Sequence, residues 1–225
     1  MKTQRKMPPR RRVGGAGVIV LVHHDVVPAF SLIIRYLNRR ARVSDEVYSL
    51  HLVKPSIRAV YRLAEHLKRD PHHTFVENIS NLRPNNSLRD LLAKRKRLTD
   101  DQVANYMMLV SIETVTDKFR AKYPNPNLTL QAGSVEKFEN IVDAGVRELF
   151  EEAKIRIDQS KLFRPPIKLL GGGLFMYMVH IGKDTRVSIG TDDDSVTLDP
   201  SPPPPGGAWR RALPRAGKLA AKNGA

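Results

Sequence analysis

The chain has no cysteine among its 225 residues. That excludes disulfides, thiolate metal sites and cysteine nucleophiles outright, and it allows a reducing compartment. Long apolar runs are missing too. The longest, Ala16–Val22 and Leu174–Ile181, are too short to span a bilayer and read as buried strands, so no membrane span is expected. The first twelve residues contain no acid and no apolar stretch of the kind a secretory signal needs. Aromatic residues make up only 6%, which leaves few rings for stacking on a base.

Charge is what the chain does have. The formal net charge is +15, with six cations in residues 1–12 and a net +1 over residues 192–225, so +8 remains for residues 13–191. A folded surface with that excess attracts polyanions such as nucleotides or RNA, beyond whatever it adds to solubility. With 41% hydrophobic and 27% charged residues a packed core is expected. The organisation read from the sequence is a basic disordered arm (1–12), one folded domain (13–191) and a Pro-rich disordered tail (192–225) containing Pro202-Pro203-Pro204-Pro205. The expected compartment is intracellular and cytoplasmic, with nuclear entry left open by the basic arm.

Within the folded part, Ala16–Val22 is expected as a buried strand. Phe30–Leu37 follows Pro28 and is expected to pair with it antiparallel, and Val47–Val53 to add a third strand. From about 55 to 120 apolar residues recur every three or four positions, predicting a helical insertion. One helix opens at Pro55-Ser56 and runs to about Arg69, one is capped by Ser87 and runs to Arg97, and a longer one follows the capping box Thr99–Gln102. Leu128–Leu130 reads as a short strand leading to Gly133, with a helix from about Asn140 to Lys154 and a strand over Leu174–Ile181. Past Ile181 no convincing strand and helix remain before the proline run.

On the 140–154 helix, at about 100° per residue, Val142, Val146, Leu149, Phe150 and Ala153 form an apolar stripe, with Glu148, Glu151 and Glu152 expected on the opposite side. Such acidic faces are ordinarily just solvated. Like charges at these spacings weaken a helix by a few tenths of a kcal/mol per pair (roughly), which a divalent cation would offset. Oxygen ligands without His or Cys point to Mg2+ or Mn2+.

Gly133, five residues, Glu139, seven residues and then Arg147-Glu148-Leu149-Phe150-Glu151-Glu152-Ala153-Lys154-Ile155 resembles the Nudix box, G-x5-E-x7-R-E-U-x-E-E-x-G-U, at eight of nine specified positions. The resemblance implies an α+β fold, the α/β/α Nudix sandwich: a mixed sheet packed between helices, with the helical insertion ahead of the box (133–155). It implies that Glu151 and Glu152 are the principal metal ligands, that Glu148 is a further ligand or a base, and that Glu139 binds metal through water. Arg147 would orient the glutamates, and the Gly133 carbonyl would add a ligand. The implied chemistry is metal-assisted attack of water on a phosphoric anhydride. Two positions depart from the family: Lys154 stands where it has glycine at the helix end, and Gln131 where it commonly has proline.

The box identifies the bond and not the molecule that carries it. Basic residues before it, among them Arg39, Arg40, Arg42, Lys94, Arg95, Lys96 and Arg97, make capped RNA the first expectation. In outline the chain resembles the viral mRNA-decapping Nudix enzymes, which release methylated GDP. Tyr36, Tyr48, Tyr61, Phe75 and Tyr106 are available to stack on a cap or to fill the core. The paired histidines His23-His24 and His72-His73 are not needed by the box. Two alternatives stay open: a pyrophosphatase for ADP-ribose or another small nucleotide, and an RNA-binding protein with an impaired Nudix site.

Overall fold

The computed structural model describes residues 14–43, 48–69, 83–94, 98–113, 127–169, 173–183, 185, 187–189 and 196–198. The arm at 1–12, His72, His73, Phe75, the basic run 95–97 and the proline run lie outside these residues, as do several connections. The described chain is mixed α+β. No helix in it is long and apolar enough to cross a membrane.

Strand β1 (Gly15–His23) is the centre of an eight-stranded mixed sheet. It is the expected β-branched run, buried along nearly its whole length because both faces and both edges are covered. On one edge it pairs in parallel with β9 (Leu174–Ile181), which in turn pairs with β8 (Phe163–Leu169). The other edge forks. The end of β1 (Leu21–His23) pairs with β4 (Tyr106–Glu113), while its beginning (Ala16–Val18) pairs with β6 (Gln131–Gly133). Strand β5 (Asn127–Thr129) pairs with the far half of β4, so segment 127–133 is wedged between two diverging strands. Strand β2 (Tyr48–Val53) lines the outer edge of β4, and β3 (Arg83–Pro84) runs parallel to β5.

Alternation along the strands divides the core in two. Ile19, Leu21, Met108, Val110 and Met176 face α2 (Ile57–Arg69) and α3 (Asn86–Ala93) through Val60, Leu88 and Leu91. Val18, Val20, Leu109 and Val179 face α1 (Val27–Val43) and α5 (Ile141–Ala153) through Phe30, Ile33, Leu37 and Leu149. Helices therefore cover both faces of the sheet. A second, three-stranded sheet of β7 (Ile155–Arg156), β10 (Val187–Ile189) and β11 (Val196–Leu198) adds Ile155, Val187 and Ile189 to the α5 side.

Several expectations are corrected. Residues 30–37 are not a strand but the middle of α1: Phe30, Ile33, Ile34, Leu37 and Ala41 are buried at helical spacing, and Pro28 sits in the first turn, where its missing N–H costs nothing. Aromatic and β-branched content had outweighed that spacing. The capping box at Thr99 and Gln102 is present, but the helix it starts, α4 (Asp100–Asn105), ends after six residues. The run after it is a central strand, β4. A strand buried on both faces is apolar at consecutive positions, which a short helical reading fits equally well. The insertion at 55–120 is thus only partly helical. In α3 the capping residue is Asn85, whose side chain accepts from the Leu88 N–H at 3.0 Å, and the helix stops at Ala93. Beyond Ile181 the chain does supply strands, β10 and β11, and β11 falls within the segment expected to be a disordered tail.

The end of α5 answers the departure at Lys154, which is left-handed at φ 53° and ψ 32°, with its N–H donated to the Phe150 carbonyl at 2.8 Å. The turn favoured by glycine is therefore made by a lysine. A left-handed non-glycine residue costs roughly 1 kcal/mol. Lys154→Gly is expected to stabilise the protein by about 0.5–1 kcal/mol in denaturant unfolding, net of the extra entropy glycine brings to the unfolded chain. A loss of stability would show that contacts of the lysine side chain outweigh its backbone strain.

Candidate functional site

Helix α5 comes unusually close to the sheet. A Cβ on Gly145 would lie 3.2 Å from the Gly17 carbonyl oxygen, and one on Gly17 would lie 2.3 Å from the Gln131 carbonyl oxygen. Gly17 leaves room for β6 to pair beside it, and Gly145 brings the helix backbone close onto β1 at the fork. The buried arc of the helix is Ala144, Gly145, Glu148, Leu149, Glu152 and Ala153. Glu148 and Glu152 are therefore turned to the sheet, not away from the core as the helical wheel had suggested, while Glu151 stays half exposed at the rim.

Arg147 ties the cluster together. Its Nε and Nη2 grip Glu139 at 2.9 and 3.0 Å, its Nη1 donates to Glu148 at 2.7 Å and Glu151 at 3.1 Å, and Nη2 also donates to the Ser134 carbonyl at 2.8 Å. These five bonds match the five N–H donors of a guanidinium. The hydrogen bond from Arg147 holds the Glu139 carboxyl below its ordinary range, and the same bonds raise the arginine further above its own. Arg147 thus joins Glu139, Glu148 and Glu151 in one ion-pair network.

Gly133 is the floor under Glu148. A Cβ there would lie 2.3 Å from the carboxyl carbon and both oxygens of Glu148, so the carboxylate fills the space a side chain would take. The Gly133 carbonyl oxygen lies beside Gly15 on β1, so what meets the carboxylate is the bare Cα.

Glu152 is the least compensated charge. It takes the Ala132 N–H and lies 3.5 Å from the Ser111 hydroxyl, but no cation reaches it among the described residues. Burial first, and then Glu148 beside it, push its carboxyl up to about 9, and burial raises Glu148 as well. The half-buried Glu113 on β4 is also raised by burial, and its charge adds to that on Glu152. The Tyr48 hydroxyl bonds Glu152 and is raised, mainly by burial. Gln131, the second departure from the box, is fully buried at the fork. Its amide nitrogen reaches Ser111 at 3.4 Å, and its Oε1 has no hydrogen-bond partner.

Comparison with protein-family models, curated proteins and solved structures finds no match.

Among the described residues no three carboxylates or imidazoles already converge in ligating positions, because Arg147 faces three of the four acids. The donor set nonetheless fits a hard cation: two buried carboxylates, a third at the rim, and an unpartnered amide oxygen at the fork. Sequence reasoning missed Tyr48, Ser111 and Glu113 around Glu152. Their signal was faint: Ser111 is a polar residue in an apolar run that had been read as helix.

Among the described residues, the cations expected to bind nucleic acid do not form one surface. Arg39 is exposed and Arg40 half-buried on α1, with Arg40 donating to the Tyr36 hydroxyl at 3.3 Å, while Lys94 is exposed at the end of α3 across the sheet. Arg42 lies in the last turn of α1. Of the rings proposed for stacking, Tyr61 is exposed on α2, and Tyr36, Tyr48 and Tyr106 are half-buried. His23 and His24 end at α4 and Asp25, far along β1 from the glutamates.

The raised Glu152 has a consequence for stability. With a folded value near 9 against 4.5 for the free side chain, the folded protein holds the extra proton between those values. Without a cation, stability therefore falls as pH rises through that window. Glu152→Gln is expected to raise stability at pH 7 to 8 by about 1–3 kcal/mol and to flatten the pH dependence. Denaturant unfolding in chelator across pH 5–9 (roughly the window of the shift) measures both. An unchanged slope would mean the carboxylate is ionised at no cost.

Proposed function

We propose that this chain is a metal-dependent hydrolase of the Nudix type, cleaving the phosphoric anhydride of a nucleoside diphosphate-linked substrate, with the 5′ cap of mRNA as the first candidate. The observation that carries the reading is the seating of Glu148 and Glu152 under α5 against Gly133 and the sheet fork, with Arg147 joining Glu139, Glu148 and Glu151.

In this reading Glu148, Glu151 and Glu152 hold Mg2+ or Mn2+, with Glu139 behind them. The ion, when bound, polarises phosphoryl oxygens and lowers the pKa of water. The protein's own groups do the rest. Burial raises both Glu148 and Glu152, the latter to about 9, so a cation at their carboxylates would relieve the cost of their charge. Glu148, raised by burial, is suited to take a proton from the attacking water. Arg147 fixes three of the carboxylates and leaves Glu152 to the fork, so the acids are positioned before substrate arrives.

Two observations favour an active protein over an RNA-binding one with an impaired site. Lys154 makes the left-handed turn despite not being glycine, and strands β10 and β11 follow Ile181. Capped RNA is favoured over a small nucleotide by the residual +8 of residues 13–191 and by exposed Arg58, Arg62, Arg89 and Lys94, carried by α2, α3 and the end of α3 on one side of the sheet.

Incubation of cap-labelled RNA, ADP-ribose and free nucleotides with Mg2+ or Mn2+ separates these readings. Release of methylated GDP is expected. AMP from ADP-ribose with capped RNA intact would instead point to the small-nucleotide enzyme. Glu151→Gln is expected to abolish turnover, by at least about a hundredfold, while leaving RNA binding intact; hydrolysis at the wild-type rate would remove the metal role of Glu151.

A further inference from the structure

A cleft of about 990 Å³ opens beside the carboxylate cluster, bounded by the loop before α5, the start of α5, and strands β8 and β9. Its apolar wall is Val135, Ile141, Val142 and Tyr177, a suitable backing for a nucleobase. Glu139 forms part of its edge, and through Arg147 that edge is continuous with Glu148. A molecule whose diphosphate lies at the glutamates can therefore extend into the cleft without leaving the surface.

The cleft also carries charge that the box does not use. Lys137 and Arg164 line it, and neither has a carboxylate partner among the described residues. Lys137 stands over the ring of Phe138, 5.0 Å from its centroid. Of the two acids in the lining, Glu139 is already held by Arg147, which leaves Glu136 against two cations. The loop that presents Lys137 is held in shape: the Glu136 N–H donates to the Glu139 carboxylate at 3.0 Å, the Glu139 N–H donates to the Glu136 carbonyl at 3.2 Å, and Phe138 between them is left-handed at φ 70°. A loop strained in that way and still ordered by its own hydrogen bonds fixes where the lysine stands.

We infer that this cleft seats the 5′-terminal nucleotide of an RNA, its base against Val142 and Tyr177 and its 3′ phosphodiester between Lys137 and Arg164. This deepens the proposed function and rests on it for the diphosphate at the glutamates. The two cations are the discriminating feature. A small dinucleotide brings no phosphate beyond its diphosphate to meet them, whereas a polynucleotide does.

The test is equilibrium binding, without divalent metal, of a short 3′-labelled oligoribonucleotide carrying a 5′-monophosphate, followed by fluorescence anisotropy with a nucleoside 5′-monophosphate as competitor. The oligonucleotide is expected to bind more tightly than the mononucleotide. Arg164→Ala and Lys137→Ala are each expected to weaken it about tenfold, the loss of one charge-assisted contact, without changing competition by the mononucleotide. Arg35→Ala, which removes an exposed cation on α1, is expected to bind like wild type. Val142→Trp, which fills the cleft and keeps both cations, is expected to weaken both ligands. Wild-type binding by the Arg164 and Lys137 variants, equal affinity for the two ligands, or an equal loss in Arg35→Ala would each overturn the inference. Because no turnover is read, absence of hydrolysis would sink the proposed function and leave this result standing on its own.

Discussion

The contact between Gly145 on α5 and Gly17 on β1 is the constraint from which the site follows. With no side chain on Gly145 the helix backbone lies close on the strand, with none on Gly17 strand β6 closes against it, and the glutamates one and two turns further along are carried into the fork between β1 and β4. A Cβ on Gly145 would press on the Gly17 carbonyl at 3.2 Å, and one on Gly17 would collide with Gln131 and Ala132 of β6. The same closeness leaves room for Glu148 only because Gly133 is bare.

Burying two carboxylates side by side opposes folding, and the protein offsets the cost unevenly. Arg147 neutralises the outer part of the cluster through its hydrogen bonds, while the inner part is left with neutral donors: Ser111, the Ala132 N–H and the Tyr48 hydroxyl. Hydrogen bonds from neutral groups do not balance a buried charge. Glu152 therefore favours its proton, and the unpartnered Gln131 oxygen nearby is a second deficit of the same sign. Both deficits would be met by a positive ion. That pairing of a well-held rim with an unsatisfied interior separates this cluster from a solvated acidic helix face.

Much of this is legible in the sequence. The box spacing picked out Gly133, Glu139, Arg147 and the three glutamates, and the structure gathers all six in one cluster beside α5. Strands β1, β2 and β9 and helices α2 and α5 stand close to where local patterning put them. What failed was the choice of period where composition and spacing disagree. In α1, Phe30, Ile33 and Ile34 have strand-like side chains at helical spacing; in β4, Met107, Met108 and Leu109 have helix-forming side chains in a strand buried on both faces. Tertiary contacts decided both cases, and they also decided which side of α5 is buried. A wheel drawn from apolar residues alone could not place two glutamates on the inner face, because that arrangement depends on glycines in β1 and β6 and on the fork around them.

The central claim is that Glu148 and Glu152 together bind a hard divalent ion. Calorimetric titration with Mn2+ near neutral pH, repeated in buffers of different ionisation enthalpy, measures the binding and the protons it releases. The account predicts a saturable site that expels protons on binding and is lost in the Glu148→Gln/Glu152→Gln double variant. Binding without proton release, or the same affinity in the double variant, would contradict it.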